Sequence, residues 1–336
     1  MSSLPRAVPP VLLGLLLLTA CGSPAASSGA DIPDARVRAQ ELCPSDHARY
    51  GATPSAGRPT VTPSGTPVSL PLPSPRADEN GVRITGLYAW GPGSGCAGVD
   101  YSAEFEVVNN TAAAATYTVT LAFGSASGEA AGTAERVVEA VGPGRTGKAV
   151  AAMEGTAMGA AGVTGVKVLK VRSVPVAEAS SASGPCPASG VRVYADQGDA
   201  AMGLRVVGLH LVNCGTRPYA LDGYPELEVQ DEDHDPVKDV RILRGTEQIG
   251  SGIGGQGAPR PVTLRPGEAA AATLAWRNTT QAGAPVNAPY ARVRARPGAD
   301  PVTVVPELDL GTTGRLGVGP WRRDETYRDL DAGARP

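Results

Sequence analysis

Tyr101-Ser102-Ala103-Glu104-Phe105-Glu106-Val107 decides the fold class. Tyr101, Ala103, Phe105 and Val107 alternate with Ser102, Glu104 and Glu106, the period-two pattern of a strand with one face buried and one face wet. Asn109-Asn110-Thr111 interrupts the run, and Tyr117, Val119, Leu121 and Phe123 then alternate with Thr116, Thr118 and Thr120. A turn over residues 125–128 and the turn Gly142-Pro143-Gly144 space the next apolar pairs, Val137-Val138 and Val166 with Val168. Short alternating strands at this spacing predict a small antiparallel sandwich over residues 81–176.

Composition extends this reading to the whole chain. Gly 43 and Pro 31 in 336 residues argue for strands and turns over long helices. Phe105 and Phe123 are the only phenylalanines, so the core must be built from Val, Leu and Ala. A net charge of −3 provides no basic surplus, which argues against a nucleic-acid partner. A Ser/Ala/Gly/Pro linker over 177–187 leads to a second domain expected over 188–321, whose most apolar strand is Leu204 to Val212. Residues 322–336 are charged and read as a tail. The fold class is therefore all-β, with two immunoglobulin-like antiparallel β-sandwich domains behind a leader and a proline-rich tether.

Two resemblances follow from these stretches. In the first domain the order strand, Val-Asn-Asn-Thr, strand and later Pro-Gly turn is loosely similar to bacterial FxLYD-type immunoglobulin-like domains. In the second, Asn213-Cys214-Gly215-Thr216-Arg217-Pro218-Tyr219-Ala220-Leu221-Asp222-Gly223-Tyr224-Pro225 resembles the actinobacterial domain of unknown function 4232, in which Leu-x-Gly-Tyr-Pro leads into a strand. Leu264-Arg265-Pro266-Gly267-Glu268, the strand Ala270 to Trp276 and Gly314-Arg315-Leu316-Gly317-Val318 continue that likeness. It implies an immunoglobulin-like sandwich and no known activity. The family often places a cysteine directly before Leu-x-Gly-Tyr-Pro, whereas here Tyr219 is near that place and Cys214 lies upstream.

At the N-terminus, Arg6 precedes an apolar run from Ala7 to Leu18, closed by Leu18-Thr19-Ala20-Cys21. The layout is that of a secretory signal peptide over 1–20. The ending resembles a bacterial lipobox, which implies acylation of Cys21, cleavage before it, and attachment to the extracytoplasmic face of the cell membrane. The run is shorter than the ~20 apolar residues that a membrane-spanning helix takes. Residues 21–80 read as a Ser/Ala/Pro-rich tether. One or two helical turns are expected between Asp34 and Leu42, and seven prolines between Pro54 and Pro75 favour extended polyproline geometry. Cys43, Cys96, Cys186 and Cys214 remain, an even number that suggests disulfides in an exported chain with three possible connectivities. Cys43–Cys96 and Cys186–Cys214 keep each bridge within one half and are favoured; a bridge at Cys43 would loop the tether back onto the first domain. The competing four-thiolate zinc site lacks any Cys-x-x-Cys spacing.

Motifs with possible chemistry mostly dissolve on inspection. Gly142 to Ala149 has P-loop spacing, but Ala149 stands where the magnesium-binding Ser/Thr belongs. Gly250 to Gly257 satisfies Gly-x-Gly-x-x-Gly, yet Ala258-Pro259-Arg260-Pro261 follows where a phosphate-binding helix should begin. Asp231, Asp233 and Asp235 copy the first ligand positions of a calcium loop, while Pro236 and Ile242 occupy the places of the turn glycine and the bidentate glutamate. A polar hairpin tip is the expected role, a weak cation site the alternative. No nucleophile or metalloprotease motif accompanies His47, His210 or His234. Arg292, Arg294 and Arg296 alternate with Ala291, Val293 and Ala295, which puts three guanidiniums on one strand face. Pairing with Glu226 and Glu228 is the expected use; binding of an anionic wall polymer or lipid headgroups is the other. These observations point to a non-enzymatic envelope protein that needs no cofactor and binds or spaces, its partner an envelope protein or polymer. A wall-modifying hydrolase assembled only in the fold and an ion- or ligand-sensing module are the alternatives.

Overall fold

The computed structural model describes residues 32–43, 63, 65–72, 80–91, 96, 98–125, 129–154 and 162–327. The signal-peptide segment, Cys21, His47, the proline-rich stretch apart from 63 and 65–72, and the end of the tail lie outside the described residues. The described chain is nearly all β, with one helix.

The first body contains α1 (Ile32–Leu42), β1 (Val68–Ser69), β2 (Val82–Ala89), β3 (Val99–Val108), β4 (Ala115–Ser125), β5 (Ala130–Val141), β6 (Thr146–Glu154) and β7 (Val163–Pro175). Two sheets, β1-β2-β3-β6 and β5-β4-β7, face each other. Between them lies the core of Leu87, Ala103, Phe105, Val107, Val119, Leu121 and Phe123, all essentially inaccessible to solvent. The alternation read in β3 and β4 thus supplies the inner face. The outer face departs from it: Ser102, Thr116 and Thr118 are also buried. Ser102 accepts a 2.9 Å hydrogen bond from Trp90 Nε1 beneath α1. On the opposite sheet, the strand flanking Thr118 is covered by the second body.

That second body comprises β8 (Val191–Ala195), β9 (Asp199–Ala201), β10 (Leu204–Asn213), β11 (Tyr219–Leu221), β12 (Glu226–Gln230), β13 (Arg241–Arg244), β14 (Val262–Leu264), β15 (Ala269–Arg277), β16 (Asn287–Ala288), β17 (Tyr290–Arg294), β18 (Val302–Val304), β19 (Leu308–Asp309), β20 (Arg315–Val318) and β21 (Arg322–Arg323). One layer runs β13-β20-β15-β10-β8, with β13 parallel to β20; β12-β17-β18 forms the opposing layer. Leu209, Leu211, Leu274, Val293, Val304, Leu316, Trp276 and Trp321 fill the space between. Arg322-Arg323, read as the start of a tail, pairs with β15 at Ala270-Ala271.

Both bodies share a strand-end joint. At the end of β3, Asn109 Nδ2 donates to Ala113 O at 2.8 Å and to Val141 O at 2.7 Å. Its main chain exchanges bonds with Arg145 O and Gly144 N. At the end of β10, Asn213 Nδ2 donates to Arg217 O at 2.8 Å and to Leu264 O at 3.0 Å, and its main chain engages Glu268 O and Gly267 N. Each asparagine thus pegs its following loop to the Pro-Gly turn that opens the neighbouring strand, at matching offsets. Gly144 and Gly267 occupy the left-handed region, with φ of 64° and 85°, which these turns require.

Candidate functional site

The described residues converge on a polar clasp between the two bodies. Edge strand β7 offers the outer face of its sheet through Lys170 and Arg172, while its inward-facing valines pack in the core. The Glu307 carboxylate takes Arg172 Nε at 2.6 Å, Arg172 Nη2 at 3.2 Å and Lys170 Nζ at 3.0 Å. The remaining guanidinium nitrogen of Arg172 lies 3.2 Å from Glu232. Burial alone would push the Glu307 carboxyl up, but the bonds from Arg172 and Lys170 outweigh it and bring it below the usual glutamate value. Glu307 holds φ at 52°, a strained setting for a non-glycine residue, here fixed by these partners.

The acidic hairpin tip takes part in an unforeseen way. Asp231 Oδ1 accepts the backbone N–H groups of Asp233 and Asp235 at 3.0 and 2.9 Å, so this carboxylate caps its own turn. Among the described residues, no group of three or more His, Cys, Asp or Glu side chains is placed to hold a metal ion. The tip instead presents Glu232 and His234 to the first body. His234 Nε2 donates to Ser173 O at 2.8 Å, and its ring stacks on Tyr290 with centroids 4.1 Å apart. The Tyr290 hydroxyl accepts Ser173 N–H at 3.1 Å. Both polar backbone groups of Ser173 on the open edge of β7 are thereby satisfied, which blocks that edge from further strand pairing.

The arginine row is spoken for within the fold. In register, Arg292 faces Glu228 and Arg294 faces Glu226. The stronger partner of Arg292 is Glu178, with bonds of 2.7 and 2.6 Å; Glu228 stands 4.0 Å away. The Arg292 bonds come first among the causes that hold the Glu178 carboxyl below its usual value. Thr303 N donates to Glu178 O at 2.7 Å, and Ala179 makes a parallel bridge with Thr303. Arg294 donates to Ala299 O at 2.6 Å. Arg296 falls beyond the end of β17, where it stacks over Tyr219 at 4.4 Å and reaches Ala220 O. The segment read as a linker over 177–187 is therefore docked at its start. Sequence reasoning missed Glu178, although it is the only charged residue between Val176 and Pro187.

Two further clusters flank the clasp. α1 lies on the outer face of the β1-β2-β3-β6 sheet, where Ala39 and Leu42 are buried with Trp90 and Val99. The Cys43–Cys96 disulfide fastens it, and Arg38 bonds Glu104, which also accepts Tyr88 OH at 2.6 Å. Residues 32–43 and 68–72, read as tether, are thus part of the first body. In the second body Cys186 bridges Cys214. His210, on β10 as expected, lies 3.2 Å from Asp196 and stacks on Tyr194. Asp196 also accepts Gly198 N–H and Gly208 N–H at 2.9 and 2.8 Å. Burial works to raise its pKa, but these three donors prevail and lower it. A Cβ on Gly208 would come within 2.3 Å of the carboxylate, so glycine makes room for it. Burial pushes Tyr194 up to about 12, so it stays protonated. A carboxylate-held imidazole is one part of a catalytic triad, but its stacking on Tyr194 ties β8 to β10. The near-P-loop at Gly142 is the turn between β5 and β6, and Gly250 to Gly257 lies in a loop.

Fold and site together define an all-β protein of two sandwich-like bodies joined by a charged clasp. Residues 186–322, the C-terminal part, match the family model of a domain of unknown function (DUF4232). No curated protein and no solved structure matches the chain.

Proposed function

We propose that the protein is a lipid-anchored cell-envelope protein, held at the extracytoplasmic face of the membrane by acylated Cys21. It acts without catalysis, as a binding or spacer module of two immunoglobulin-like sandwiches. The observation that carries this reading is the apolar run Ala7 to Leu18 closed by Leu18-Thr19-Ala20-Cys21. Two disulfides agree with an oxidising compartment. The internal engagement of Arg292, Arg294 and Arg296 favours an envelope protein over an anionic wall polymer as partner. The test is Cys21→Ser followed by cell fractionation. The variant is expected to leave the membrane fraction and lose lipid labelling; retention with unchanged labelling would refute the anchor.

A further inference from the structure

The Cys43–Cys96 bridge and the docking of α1 decide which part of the N-terminal chain can act as a spacer. The bridge spans a sequence separation of 53 and is nearly buried, with Cys43 7% and Cys96 5% exposed. It closes the whole proline-rich stretch into a covalent loop that leaves and rejoins the first body. A pull on the chain from the N-terminal side is transmitted through α1 and the disulfide into β2 and β3, bypassing residues 44–79. Only residues 22–31 lie between Cys21 and α1. At full extension that segment reaches roughly 40 Å, against roughly 200 Å if the chain ran free to β2.

The same geometry orients the two bodies. α1 covers the outer face of the β1-β2-β3-β6 sheet through Ala39, Leu42 and the Arg38–Glu104 contact. The second body docks on the outer face of the other sheet, through Lys170 and Arg172 on β7. The point of tethering and the clasp are therefore on opposite faces of the first sandwich.

We propose that the first sandwich rides close to the lipid surface on a short leash of residues 22–31, and displays the second sandwich on its far side. The proline-rich stretch adds no reach. This inference rests on the lipid-anchor reading for its attachment point, and on the bridge, α1 and the clasp for everything else.

The test uses the full-length, lipid-modified chain in membrane vesicles carrying an energy-transfer acceptor in the headgroups. A genetically encoded fluorescent residue serves as donor, placed either at exposed Gln40 on α1 or at exposed Ser251 in the second body. Transfer from Gln40 is expected to exceed that from Ser251. One twenty-residue Gly/Ser segment is then inserted at either of two places. Between Gly29 and Ala30 it adds twenty residues between Cys21 and α1, and should reduce transfer from Gln40. Between Gly57 and Arg58 it enlarges only the closed loop, and transfer should not change. Non-reducing peptide mapping verifies that both bridges persist in each variant. Equal loss from the two insertions, or transfer from Ser251 matching that from Gln40, would overturn the proposal while leaving the anchor in place. A chain that does not associate with vesicles at all would overturn the anchor itself, and the orientation with it.

Discussion

In the first sandwich the loop after β3 is secured by hydrogen bonds alone. Asn109 Oδ1 accepts Thr111 N, Thr111 Oγ1 and Tyr117 OH at 2.8, 2.7 and 2.9 Å, beyond the two carbonyls its amide group satisfies. In the second sandwich the matching Asn213 Oδ1 takes only Gly215 N, at a longer 3.2 Å. There the next residue, Cys214, is bridged to Cys186 ahead of β8. The joint has the same geometry in both bodies, tightened by a polar network in one and by a covalent crosslink in the other. A buried amide with many partners is costly to remove, whereas a crosslink acts mainly by restricting the unfolded chain. The two halves should therefore fail differently when their joints are damaged.

The largest effect is expected for Asn109→Ala. It strands the carbonyl of Val141 and the hydroxyl of Tyr117, leaves Ala113 O to Thr111 Oγ1, and should destabilise the first sandwich by about 3–5 kcal/mol in denaturant titration. Next comes Cys186→Ser with Cys214→Ser. Opening a bridge of sequence separation 28 should cost the second sandwich roughly 3–4 kcal/mol in the chain-entropy model. Asn213→Ala in the oxidised protein should cost less than Asn109→Ala, about 2 kcal/mol, because fewer partners are lost and the crosslink persists. Equal losses at the two asparagines would break the contrast. A larger Asn213→Ala loss in the bridgeless background would sharpen it.

The smallest effect belongs to the clasp. Its groups are partly exposed, so Glu307→Gln should change stability by about 1 kcal/mol or less, while speeding amide exchange at Ser173. Glu178 and Glu307 both have carboxyls held below the usual glutamate value of 4.5. Their contribution is fully present above that value and is lost as pH falls through the depressed folded values. The protection factor of the Ser173 amide, measured against its intrinsic exchange rate at each pH, should accordingly fall below pH 4.5 and hold between neutrality and pH 5.

Legibility followed locality. Period-two alternation at Tyr101 to Val107 and Tyr117 to Phe123 announced strands because an inner face repeats every second residue. The Asn213 to Pro225 stretch carried the family likeness now found over residues 186–322. What depended on distant partners was hidden. The aspartates of 231–235 stood out by spacing, yet it is Glu232 and His234, between them, that reach across to β7. Glu226 and Glu228 were the natural partners for Arg292 within one sheet, but Glu178 arrives from a stretch whose Ser/Ala/Pro composition reads as linker. The asparagine joint was visible in each half as a strand-ending Asn and a later Pro-Gly turn. Its equivalence rests on matched carbonyl offsets, which the sequence does not display.

Membrane attachment turns above all on the state of Cys21. Trypsin cleaves after Arg6 and Arg36, so the mass of the peptide that contains Cys21 reports both processing and modification. In protein extracted from membranes, a lipid anchor at Cys21 predicts a peptide that begins at Cys21, ends at Arg36 and carries acyl chains. An unmodified peptide running on from Ala20 into Cys21 would contradict it.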